Sequence, residues 1–117
     1  MTDRRSEGEA GESAAVDYLK EKGYHILRRN YRYQRGEIDI IAEDGEDLVF
    51  VEVKARRSKS YGDPEDGINP EKCNRIRRVA SGYLFEHHID DRPCRFDIVA
   101  IEYEGAKMVL RHLKEAF

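Results

Sequence analysis

Residues 36–55 read GEIDIIAEDGEDLVFVEVKA, and this stretch decides the fold. Two apolar runs, residues 38–42 and 48–53, flank Asp44-Gly45, a strong local signal for a β-hairpin. A two-residue turn at Asp44-Gly45 makes residue 43 face residue 46, so Ile38 faces Val51 and Ile40 faces Val49. With Val53 beside them, these residues form a dry, β-branched surface. The other face carries Glu37, Asp39, Ile41, Leu48, Phe50, Glu52 and Lys54, apolar near the turn and charged at the open end. A longer loop with the same parity puts Asp39 directly opposite Glu52 instead. Either leaves the two carboxylates on one face, within reach of each other, and only an odd slip separates them.

Working outward, residues 3–22 read as a helix with a small-residue stripe of Gly8, Gly11, Ala14, Ala15, Tyr18 and Leu19, stopped by Gly23. Residues 24–29 (YHILRR) read as a short strand. After Lys54 the chain turns polar, and RRSKSYGDPEDGINP (residues 56–70) is expected as a long surface loop. Asn69 then caps a second helix with Pro70 at its first position and Glu71 in its first turn. That helix has an apolar stripe of Cys73, Ile76, Ala80, Tyr83 and Leu84, with Arg75 and Arg78 on the other side and Lys72 at the border. Residues 95–102 and 107–112 are strands joined by a turn at Glu104-Gly105. The order is αβββαββ, an α/β domain with a sheet flanked by helices. With 117 residues, against the roughly 100–200 of a typical domain, one domain over residues 1–117 is expected.

Charge narrows the function. Lys and Arg total 21 against 24 Asp and Glu, a net charge of −3, which argues against a uniformly basic phosphate binder. The basic residues nevertheless gather in three groups: Arg28, Arg29, Arg32 and Arg35; Lys54, Arg56, Arg57 and Lys59; Lys72, Arg75, Arg77 and Arg78. Sharing a face, they could grip a phosphate backbone, with Arg35, Arg56, Lys72, Arg75 and Arg78 as the expected contacts. Otherwise they are three separate solvated faces. No apolar stretch approaches the roughly 18 residues of a membrane span. Residues 1–13 lack the apolar core of a secretory signal, and Cys73 and Cys94 lack metal-ligand spacing. A soluble cytoplasmic protein with reduced thiols is expected.

Carboxylates clustered on so apolar a hairpin raise each other's pKa, and burial adds to the cost. A divalent cation relieves both, and hard carboxylate oxygens suit Mg²⁺ or Mn²⁺. Lys54, two residues beyond Glu52 on the same face, can balance charge on a phosphoryl group. Such a set suits metal-assisted phosphodiester hydrolysis. The plainer alternative is an edge hairpin whose Glu–Lys pairs only aid solubility.

The ordered set of motifs resembles the PD-(D/E)XK, or restriction-endonuclease-like, nuclease superfamily, and within it the YraN-like family. The likeness spans nearly the whole chain: Gly11, Glu12, Ala15, Tyr18 and Leu19 in the first helix, the GYHILRRNYR run at residues 23–32, the hairpin, and RFDIVAI at residues 95–101. It implies a restriction-endonuclease-like fold with a central mixed sheet. It also implies that Asp39 and Glu52 are the metal-binding acids, Lys54 the catalytic lysine, and Glu12 an acid supporting the metal site. Lys72 stands where related enzymes carry a polar or basic active-site residue. The Pro of the superfamily motif is replaced by Ile38.

The expected function is a Mg²⁺- or Mn²⁺-dependent nuclease hydrolysing DNA phosphodiesters, with nucleic acid as partner, no membrane, and a homodimer as one option. The alternatives are a non-cleaving nucleic-acid-binding accessory domain and a protein-interaction module. Three lesser candidates take bland readings: Asp97 as a structural hydrogen-bonding group rather than a site residue, Tyr31 and Tyr33 as packing rather than base-stacking groups, and His87-His88 as a helix end.

Overall fold

The computed structural model describes residues 4–57 and 67–117, with side chains from residue 8 onward. Residues 58–66, most of the expected surface loop and Lys59 with it, lie outside the described residues. The elements are α1 (Arg4–Glu21), β1 (His25–Tyr33), β2 (Gly36–Asp44), β3 (Asp47–Arg56), α2 (Pro70–Glu86), β4 (Cys94–Glu104) and β5 (Lys107–Leu113). One five-stranded sheet has the order β1-β2-β3-β4-β5. Every pair is antiparallel except β3–β4, which is parallel and joined by the α2 crossover. This is the expected αβββαββ order with a central mixed sheet. No helix among the described residues is long and apolar enough to cross a membrane.

The helices cover opposite faces. Ala15, Val16 and Leu19 of α1 pack on Ile40, Ala42, Val49, Val51, Val99 and Ile101. Ile76, Val79, Ala80 and Tyr83 of α2 pack on Tyr31, Ile38, Ile41, Leu48 and Phe50. The sheet is therefore buried on both sides, which is why its central strands read as nearly continuous apolar runs. Asn69 caps α2 as expected, its side chain accepting the Lys72 N–H at 2.9 Å.

Three readings of the sequence need correction. In the β2–β3 hairpin Asp44 pairs with Asp47 and Ile40 with Val51, so the turn is Gly45-Glu46 and the pairing of Ile38 with Val51 does not occur. Gly45 takes the first turn position at φ +61°, the place glycine fills in a II′ turn, whereas a turn at Asp44-Gly45 puts it second. The register is the alternative one of the same parity, with position 39 opposite 52, reached through a two-residue turn rather than a longer loop. The shift preserves parity. Secondly, Ile38 joins the α2-side cluster while Ile40 faces α1, so the chain changes faces between them. Thirdly, β1 runs on to Tyr33 beyond the expected end at Arg29, pairing with β2 as far as Gly36. Within the α1 stripe a Cβ at Gly8 would meet nothing within 4 Å among the described residues, whereas one at Gly11 would press on Ala55 and Ile101.

Close approach of α2 to the sheet explains Gly36. A Cβ there would sit 2.3 Å from Val79 Cγ2, a methyl on a stiff, buried, β-branched side chain. Gly36→Ala is expected to cost about 1–3 kcal/mol through overpacking. Thermal melting should drop by about 4 °C per kcal/mol lost. An unchanged melting temperature would mean the helix is free to move away.

Candidate active site

β2 and β3 pair from the turn back to Ile40 and Val51, and no further. Where they part, the Asp39 side chain takes the place of a backbone acceptor: its Oδ2 accepts the Val53 N–H at 2.8 Å. Asp39 is thereby directed at β3 and hydrogen-bonds with the Glu52 carboxyl. Burial, reinforced by that bond and by the Glu52 charge, pushes the Asp39 pKa up to about 8, against the opposing Val53 N–H and Lys72. Glu52 is 7% exposed and pairs with Lys72 Nζ at 3.5 Å, reached from the first turn of α2. Lys54, on the same face of β3, stands beside Lys72. Burial and the second ammonium lower its pKa, while Glu52 and Asp39 act in the opposite sense.

Asp39, Glu52, Lys54 and Lys72 thus come together: two carboxyls and two ammoniums from three elements. Glu12 lies at the margin. Its Oε1 accepts from Asn30 Nδ2 at 2.8 Å and from Arg29 Nε at 3.3 Å, and its charge is felt at Glu37.

The basic groups only partly share a face. Arg35 and Arg32, with Gln34, Gly36 and Glu37, line an open cleft of about 370 Å³ at the β1–β2 turn. Arg75 comes up against Gly36 from α2, and the exposed Arg78 follows one turn later. Arg56 approaches Gly67, just before α2. The others turn elsewhere: Arg28 lies over Tyr31, Arg29 against α1, Arg57 over Tyr103, and Arg77 over Phe96 and Phe117. Of the lesser candidates, Tyr31 is buried and donates to Glu86, the Tyr33 ring lies against Gly82, and His87 is the C-cap of α2. Asp97 is on the α1 side, away from Glu52 and Lys54, bound to Arg95 and His112.

Among the described residues no three His, Cys, Asp or Glu side chains converge to hold a metal ion. The donor set is therefore two carboxylates, which fits Mg²⁺ or Mn²⁺ better than Ca²⁺ or Zn²⁺. Mg²⁺ keeps several waters and is held by one or two carboxylates together with substrate phosphates. The raised Asp39 pKa comes first from burial and then from the adjacent Glu52 carboxyl.

The acids and lysines that the sequence singles out come together, whereas Asn30 and the Val53 N–H were not singled out. An Asn in the middle of a strand-forming run was the available signal.

The family described as "Uncharacterised protein family UPF0102" matches residues 11–101. A UPF0102 protein of Syntrophus aciditrophicus is 44% identical over 117 residues, covering 100% of this chain and 92% of its own length. One from Symbiobacterium thermophilum is 50% identical over 98 residues, 84% of this chain and 83% of its own. A third, from Chlorobium phaeobacteroides, is 51% identical over 116 residues, covering 94% and 92%.

Proposed function

We propose that this chain, which belongs to the UPF0102 family, is a metal-dependent nuclease of the PD-(D/E)XK type acting on DNA. The observation that carries the reading is the convergence of Asp39, Glu52 and Lys54 where β2 leaves β3. Asp39 and Glu52 would hold Mg²⁺ or Mn²⁺, which supplies an activated water and a counter-charge for the scissile phosphate. Val53 N–H fixes the Asp39 carboxylate, so the acid is oriented before any ligand arrives. Lys54 would meet charge developing on the phosphate, and Lys72, which pairs with Glu52, would balance that acid until a cation did. Arg35, Arg75 and Arg78 would hold the backbone on the cleft side.

One observation favours a second reading, a non-cleaving nucleic-acid-binding domain. Glu52 already has a counter-ion in Lys72, so the fold needs no metal for neutrality.

Asp39→Asn tests the metal site. Wild type should bind Mn²⁺ by calorimetry, and the variant should not; equal binding by both removes the assignment. The same variant tests the electrostatics. Asp39 has a folded pKa near 8, above its unfolded value of about 4. Its contribution to stability is therefore complete below about pH 4 and lost as pH rises through 8. Metal-free Asp39→Asn, which keeps an acceptor for Val53, should melt above wild type at pH 9, with the gap closing toward pH 5. Mn²⁺ should raise the wild-type melting temperature and leave that of the variant unchanged.

A further inference from the structure

Arg29 and Tyr31 are two residues apart in β1, yet they face opposite sides of the sheet. Arg29 bonds to Glu12 and Ser13 of α1, while Tyr31 packs under α2 and donates to Glu86. Their β2 partners behave alike: Ile40, paired with Arg29, faces α1, and Ile38, paired with Tyr31, faces α2. In a regular strand residues i and i+2 share a face, so both strands change faces at the position between, where Asn30 and Asp39 stand. Asn30 supplies the cause. Its φ is +53°, in the left-handed region, which Asn tolerates far better than β-branched residues do.

A residue at the crossing point projects along the sheet rather than from it. That is how the Asp39 carboxylate reaches the Val53 main-chain N–H on the neighbouring strand. The Asn30 side chain is engaged as well, its Nδ2 donating to Glu12 Oε1 at 2.8 Å. One residue thus ties the first helix to the kink that aims the candidate metal ligand.

We propose that Asn30 is a positioning residue for Asp39, acting through its left-handed backbone, with Glu12 as the group that anchors its side chain. The proposal rests on the nuclease-like reading only for the importance it gives to Asp39; the geometry itself needs no metal.

The test compares Asn30→Gly, which keeps access to positive φ, with Asn30→Val, which resists it. Asn30→Ala is the milder alternative where the valine variant fails to fold. The first readout is amide exchange at Val53 in metal-free protein. Wild type and Asn30→Gly should protect this amide, and Asn30→Val or Asn30→Ala should exchange it about tenfold faster while amides of the α1-facing core stay protected. The second is Mn²⁺ affinity by calorimetry, expected to fall about 10–100-fold in Asn30→Val and to be regained in Asn30→Gly. Wild-type protection of Val53 in the valine and alanine variants overturns the proposal, as does equal damage from glycine and valine. Absence of Mn²⁺ binding by the wild type would overturn the metal reading alone, with Val53 exchange still deciding the role of Asn30.

Discussion

Lys54→Ala should slow single-turnover DNA cleavage in Mg²⁺ by about 10²–10³, the scale for losing one preorganised electrostatic group. Lys54 shares its strand face with Glu52, and burial and Lys72 keep its ammonium from being an ordinary solvated charge. An ammonium so placed matters most where negative charge accumulates on the phosphate, so the loss should fall on the chemical step. DNA affinity, measured in Ca²⁺, should change far less, because Arg35, which lines the cleft, and Arg75, against Gly36, are untouched. Lys54→Arg should rescue poorly, since a planar guanidinium does not replace a compact point charge beside a second cation. Equal cleavage by wild type and Lys54→Ala would remove Lys54 from the mechanism. DNA binding without cleavage by either protein would favour the accessory-domain reading.

The candidate site was legible in the sequence because it depends on parity. Alternation along the hairpin brought Asp39 and Glu52 together, and a turn displaced by one residue keeps that parity, although Asp39 itself stands where β2 changes faces and reaches β3 along the sheet. The displacement itself was not legible, because Asp44-Gly45 and Gly45-Glu46 both offer a glycine and differ only in its turn position. The misplaced Ile38 has another origin. Alternation assumes a regular strand, and a single left-handed residue on the neighbouring strand reverses it. The approach of Lys72 to Glu52 follows from the Asn69 cap, which fixes where α2 begins, but how closely that end sits over β3 depends on the whole packed face. Arg95 was read only as a strand residue. Its partners are scattered along the chain, and no local pattern gathers them.

Those partners make Arg95 and Asp97 the positions where substitution should cost the most stability. Asp97 is fully buried. It accepts from Arg95 Nε at 2.9 Å and Nη2 at 3.2 Å, from the Glu115 N–H at 3.2 Å, and pairs with His112 Nε2 at 2.7 Å. The remaining Arg95 donors reach Asp44 and Asp47, each at 3.1 Å, and Tyr24 at 2.6 Å. One guanidinium therefore clasps both ends of the β2–β3 turn and the entry to β1, while its carboxylate partner holds the last strand. Breaking a buried, hydrogen-bonded ion pair by removing one partner costs about 3–5 kcal/mol. Asp97→Ala and Arg95→Ala should each lower the melting temperature by about 12–20 °C, at about 4 °C per kcal/mol.

The pH dependence should identify the group. Burial raises the Asp97 pKa, but the bonds from His112, Arg95 and the Glu115 N–H outweigh it and hold the carboxyl below its ordinary value. A depressed folded pKa gives stability that is present above the unfolded value, about 4, and lost as pH falls through the folded one. The wild type should lose this contribution in acid, and Asp97→Ala, lacking it throughout, should show a flatter acid limb. Because the cluster lies on the α1 side of the sheet, away from Glu52 and Lys54, variant protein that remains folded at low temperature should bind Mn²⁺ as tightly as wild type. A variant that kept its melting temperature but lost Mn²⁺ would instead place Asp97 in the site. The expected pattern, a large drop in melting temperature with unaltered metal affinity, separates the residues that hold this sheet together from those that give it chemistry.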